Sequence, residues 1–104
     1  MHPLVEQNRE AIKAVCRRYG VKRLEVFGSA ARAVDFDPAR SDVDFLVEFS
    51  EDSETGKSLG PFLEFRGDLM RILGRPVDLV SRENLANPYV KAEVERNREP
   101  VHAA

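Results

Sequence analysis

A chain of 104 residues is the size of one domain, spanning residues 1–104, with room for a modest core and no multidomain machinery. Its 16 Lys and Arg against 18 Asp and Glu leave a formal charge of -2, which excludes general attraction to a polyanion, so no direct nucleic-acid substrate is expected. No apolar run exceeds three residues, as in Phe45-Leu46-Val47, which excludes a spanning helix or a signal segment; with a lone Cys16 unable to close an internal disulfide, a soluble cytoplasmic protein with no membrane partner is expected.

In chain order, Ile12, Val15, Cys16 and Tyr19 recur at helical spacing and predict one helix over Pro3–Tyr19, stopped by Gly20. Val21–Phe27 carries β-favouring residues and runs into Gly28-Ser29, predicting a strand, a sharp turn and a short helical segment over Ala30–Val34. Asp35–Ser41 contains Asp37-Pro38 and reads as loop. Asp42–Phe49 alternates, with Val43, Phe45, Val47 and Phe49 on one strand face and Asp42, Asp44, Leu46 and Glu48 on the other. Ser50–Gly60 is almost devoid of apolar residues and predicts a mobile surface connection. Phe62, Phe65, Leu69 and Leu73 predict a helix opened by Pro61 and closed by Gly74. A short strand over Pro76–Val80 follows, then a helix begun by Asn87-Pro88 and running to Asn97. The termini, with His2 and His102, read as frayed, and Cys16 reads as a small core residue. This alternation indicates an α/β (α+β) domain whose helices pack on the apolar face of one small sheet.

The chemistry concentrates in Gly28-Ser29, then twelve residues, then Asp42-Val43-Asp44, and later Asp78 within Val77-Asp78-Leu79-Val80. A glycine at a strand end lets backbone N–H groups approach an oxyanion, and a serine beside it adds a hydroxyl donor where a helix begins. Aspartates at i and i+2 on a strand point the same way and suit hard divalent cations, Mg²⁺ above all when phosphates complete the shell. A carboxylate in the apolar strand around Asp78, if buried, demands a cation or strong donor. Three such carboxylates opposite a phosphate turn are what two-metal nucleotidyl transfer requires, with the ions about 3.5–4 Å apart. The plainer alternatives are a solvent-facing Asp42/Asp44 pair, an Asp78 ion pair with Arg75 or Arg82, and a surface role for Arg32. Ser41 reads as a strand-entry residue whose hydroxyl could reach a nucleotide, and Arg17, Arg18, Lys22 and Arg23 as a solvated helix end that could also dock an acidic or RNA-bearing partner.

The segment FGSAARAVDFDPARSDVDFLVEF resembles the signature of the polymerase-β-type nucleotidyltransferase superfamily, and RPVDLVSRENLANPYVKAEVERNREPV resembles the tail of its minimal members, the MNT domains of prokaryotic MNT/HEPN toxin–antitoxin pairs. The resemblance implies a polymerase-β-like core with a small mixed sheet, two Mg²⁺ ions, and a nucleoside triphosphate, most often ATP, as substrate. It implies a cognate HEPN ribonuclease toxin as partner, neutralised by binding and by transfer of AMP onto one of its tyrosines, with a homodimer or hetero-oligomer as the assembly. By position it makes Asp42, Asp44 and Asp78 catalytic and metal-binding, and Gly28, Ser29 and Arg32 nucleotide-binding; the Ser41 hydroxyl is counted with the nucleotide-binding residues on its nearness in sequence to Asp42 alone. Ala33 departs from the glycine common in the family, so the turn after Arg32 is expected to differ in shape. Two other functions stay open beside this one: a non-catalytic antitoxin acting by occlusion, and a small-molecule nucleotidyltransferase. The few residues after Asn97 leave no acceptor domain, so the acceptor is expected to be small or to arrive on another protein.

Overall fold

A central strand paired on both edges organises the chain. In the computed structural model, which describes residues 1–28, 30, 42–82 and 88–103 without the side chains at 90, 93, 96 and 97, the elements in order are α1 (Pro3–Gln7), α2 (Arg9–Arg18), β1 (Val21–Phe27), β2 (Val43–Phe49), α3 (Leu59–Leu73), β3 (Val77–Ser81), α4 (Pro88–Asn97) and β4 (Glu99–Ala103). The expected segment after Gly28-Ser29 and the loop to Ser41 lie, Ala30 apart, outside the described residues. The sheet order is β3-β2-β1-β4. β1 runs antiparallel to both β2 and β4, while β2 and β3 are parallel, joined across one sheet face by α3 as a parallel pair requires.

The expected first helix is two. Asn8 closes α1 and opens α2: its backbone N–H donates to the Val5 carbonyl, its side-chain amide donates to the Leu4 carbonyl at 2.8 Å, and its carbonyl accepts from Ile12 N–H at 3.0 Å. Apolar periodicity continues across this break, so the pattern alone does not reveal it. α3 starts two residues earlier than Pro61 suggests. Proline fits its third position because the first-turn N–H groups lack intrahelical partners anyway. Gly74, in the left-handed region at φ 64°, ends that helix.

Ile12 and Cys16 of α2 and Phe65, Leu69 and Leu73 of α3 are buried with Leu24, Val26, Val43, Phe45, Val47 and Val77 of the sheet. The expected inward face of β2 is therefore correct. Its other face is only partly open: Leu46 is buried with Phe27 and Val94 of α4, against Val80. Among the described residues helices thus cover both faces, α1, α2 and α3 on one side and α4 on the other, and on the polar face of β2 the half-buried Asp44 and Glu48 flank the buried Leu46. Among the described residues no helix is long and apolar enough to cross a membrane.

Two expectations about the periphery are corrected. The C-terminal segment is not frayed: β4 pairs with β1, Val101 is buried, and the buried His102 ring lies with Nε2 3.1 Å from the Val21 carbonyl oxygen. Pairing with a strand some eighty residues away leaves no local trace. His2 is also engaged, its Nδ1 accepting from Leu4 N–H at 3.0 Å as the cap of α1. The polar connection after β2 is seated rather than loose. Ser53 and Thr55 are buried, Ser53 Oγ donates to the Tyr19 carbonyl at 2.7 Å, and Ser50 N–H donates to the Gly20 carbonyl at 2.9 Å. The Ser53 hydroxyl closes a backbone carbonyl at the corner between α2 and β1, work that composition does not distinguish from solvation.

Candidate active site

The site grows from one row of the sheet. Phe27, the last residue of β1, pairs with Asp44 of β2, and Asp44 pairs with Asp78 of β3. Partners in register project to the same sheet face, so the two carboxylates stand side by side on adjacent strands, on the face opposite the α2/α3 core. The parallel pairing is held at this end by the Val43 N–H donating to the Pro76 carbonyl at 3.1 Å. Arg66 of α3 adds a second tie, its Nε donating to the Val77 carbonyl at 2.8 Å, one residue before Asp78.

Gly28 completes the corner. Its φ is 70°, and a Cβ placed there would lie 2.6 Å from Asp44 Oδ2. Only a residue without a side chain both adopts that backbone and leaves the Asp44 carboxylate its place. The Gly28 expected to cradle phosphate therefore also abuts the first acidic group of the row. Asp44 is half-buried, while Asp42, just before β2, and Asp78 are exposed.

The exposure of Asp78 corrects one step of the sequence argument: no desolvation penalty forces it to find a cation, so burial is not what recommends it. Arg82, a candidate partner for it, pairs elsewhere. Its Nη1 donates to Glu25 Oε1 at 3.2 Å. Ser29, Arg32 and Ser41 lie outside the described residues. Among the described residues no three Asp, Glu, His or Cys side chains form a group that could hold a metal ion, so the structure brings Asp44 and Asp78 into one row without gathering the full trio. The donor chemistry nonetheless fits Mg²⁺: hard carboxylate oxygens at neighbouring strand positions.

Sequence reasoning missed Glu25. It lies two residues before Phe27, on the same sheet face, and is only 7% exposed. Its carboxylate takes the Arg82 bond on one oxygen and has Arg98 Nε 3.8 Å from the other. Arg82 directly follows β3 and Arg98 links α4 to β4, so this cluster ties three segments together one row behind the aspartates. A glutamate within a strand between apolar neighbours, with arginines after two later elements, is the only signal the sequence offers for it.

A family model described as nucleotidyltransferase domain matches residues 8–101. MJ1379 of Methanocaldococcus jannaschii, assigned as a protein adenylyltransferase, is 37% identical over 89 residues, covering 86% of this chain and 85% of that protein. The protein adenylyltransferase MntA of Thermococcus cleftensis is 38% identical over 79 residues, covering 76% of this chain and 74% of its own. Among solved structures, a minimal nucleotidyltransferase superposes with a TM-score of 0.73 at 35% identity, covering 96% of both chains. The complex of a tri-AMPylated Shewanella oneidensis HEPN toxin with its MNT antitoxin gives 0.65 at 18% identity, covering 95% of this chain and 72% of that one, and shows the fold alone.

Proposed function

Because the chain belongs to the nucleotidyltransferase domain family, we propose that it is a Mg²⁺-dependent protein adenylyltransferase that moves AMP from ATP onto a tyrosine of a cognate HEPN ribonuclease toxin and so acts as its antitoxin. The observation that carries the reading is the placement of Asp44 and Asp78 in one register row at the mouth of the sheet, with the Asp44 carboxylate seated against Gly28. Relatives named as protein adenylyltransferases, and a structural neighbour described as an AMPylated HEPN toxin with its antitoxin, support the acceptor and the partner.

In this reading Gly28 and Ser29 receive the triphosphate, with Arg32 and Ser41 as further nucleotide contacts. Asp42, Asp44 and Asp78 hold two Mg²⁺ ions, which supply charge neutralisation of the phosphates when bound. The acceptor hydroxyl oxygen bonds to the α-phosphorus of ATP, the bond from that phosphorus to the α,β-bridging oxygen breaks, and pyrophosphate leaves. Asp78, exposed on the open side, takes the hydroxyl proton. The chain's task is chiefly orientation and charge placement, which suits a small domain.

Asp44→Asn is the decisive variant, since it keeps shape and removes charge. Purified HEPN partner, labelled ATP and Mg²⁺ are mixed with wild type and variant; label is expected on the partner with wild type only, while both bind it. Absence of label with wild type, or full neutralisation of the toxin by Asp44→Asn, refutes the enzymatic reading in favour of occlusion.

A further inference from the structure

The second charged surface of the molecule lies on the other side of the sheet. Arg9, Lys13 and Arg17 occupy successive positions i, i+4 and i+8 of α2, and with Pro100, Val101 and Ala103 of β4 they line a groove of about 450 Å³. Among the described residues no acidic side chain lines it. This row differs from the run Arg17, Arg18, Lys22 and Arg23 that is contiguous in sequence. That run is split in the fold: Lys22 pairs with Glu48 at 3.7 Å and the Arg18 guanidinium lies 5.6 Å from the centre of the Tyr19 ring.

Arg9 is the fixed end of the row. Its Nη2 donates to the Pro100 carbonyl at 3.1 Å, and Glu6 stands 3.8 Å away. Lys13 and Arg17 have no ion pair among the described residues, in a chain whose overall charge is -2. β4 is the edge strand, yet an added strand is a poor occupant. Pro100 removes one N–H and Arg9 occupies a carbonyl, the usual means of blunting an edge. The cations repeat about every 6 Å, the rise of four helical residues, a spacing shared by carboxylates placed four residues apart on a partner helix.

We infer that the α2/β4 groove is the docking surface for an acidic helix of the partner protein, whose carboxylates meet Lys13 and Arg17 while its apolar stems cover Pro100 and Ala103. This rests on the partner assignment proposed above. Because α2 packs on the sheet face opposite Asp44 and Asp78, docking and nucleotide chemistry occupy separate surfaces. The groove holds the partner, and the carboxylate row modifies it.

The test compares wild type with Lys13→Glu/Arg17→Glu, titrating each against the purified HEPN partner and, separately, against AMP-PNP with Mg²⁺ and a 12-nucleotide single-stranded RNA (a length of about that order suffices for a basic groove). The double variant is expected to bind the partner at least tenfold more weakly at low salt, with AMP-PNP affinity within twofold of wild type and an unchanged thermal midpoint. A Glu→Lys exchange on the acidic partner helix should restore binding to the double variant and weaken it to wild type. Partner binding within twofold of wild type overturns the inference alone, and if RNA affinity collapses instead, the groove is a nucleic-acid site. Failure of wild type to bind the partner overturns both this inference and the partner assignment beneath it.

Discussion

Gly28→Ala isolates the contact on which the candidate site is built. Two costs arise separately. Holding alanine at φ 70° costs about 1–2 kcal/mol on chirality grounds, lowering the thermal midpoint by about 5–9 °C for a domain of this size. The new Cβ would also stand 2.6 Å from Asp44 Oδ2, where ordinary contact begins at 3.4 Å, so the carboxylate must retreat by about 1 Å. Displacement of that size at a reacting centre typically costs about 10²-fold in rate. Gly74→Ala is the matched control: its φ is 64°, but an added Cβ meets nothing within 4 Å. Both variants should lose similar stability by urea titration, and only Gly28→Ala should lose AMP transfer in a labelled-ATP assay below both midpoints. Equal activity in the two variants would refute the claim that Gly28 is kept free for the Asp44 carboxylate.

Three further outcomes test other parts of the structure. Burial pushes the Cys16 thiol up to about 12 from 9.0, so the folded thiol stays protonated while the unfolded one ionises; stability is fully present below pH 9 and falls as pH rises from there toward 12, by up to about 1.4 kcal/mol per pH unit. Cys16→Ala should abolish that slope in urea titrations, and native Cys16 should resist alkylation at neutral pH until the protein unfolds. Glu25→Gln leaves Arg82 and Arg98 without their carboxylate and should cost about 1.5–3 kcal/mol, less than a fully buried pair because both arginines remain partly solvated. Val101→Ala should cost about 2 kcal/mol by the same measurement, whereas a frayed terminus would show no change.

What the sequence revealed and what it hid divide by range. The inward face of β2, the helix through Phe65, Leu69 and Leu73, and the helix stop at Gly74 are written in repeats and cap residues a few positions long, and all are found in place. The Asp42-x-Asp44 pattern put Asp44 on the face away from the core, and the register with Asp78 could be guessed from two strands feeding one end of a sheet. The contact between Gly28 and Asp44 could not, because it depends on a φ angle and on antiparallel register sixteen residues apart. Leu46 shares that polar face yet is buried by Val94, a coverage that alternation within one strand cannot report. Glu25 reads locally as an exposed strand residue, and its two arginines come from segments more than fifty residues downstream. β4 was hidden by Pro100 and by the absence of any β-branched run.

The seating of residues 50–58 bears on how the protein can be engineered. Hydrophilic letters invite the grafting of an epitope or fluorophore there, but Gly56 lies against the Phe49 ring, where a Cβ would come within 2.9 Å of the Phe49 Cβ, and Ser53 stops up the Tyr19 carbonyl. A graft at Ser53 or Gly56 would pry apart the corner from which the central strand starts. Gly60, where a Cβ would meet nothing, is the position on that side of the molecule at which a reporter can be attached with the scaffold undisturbed.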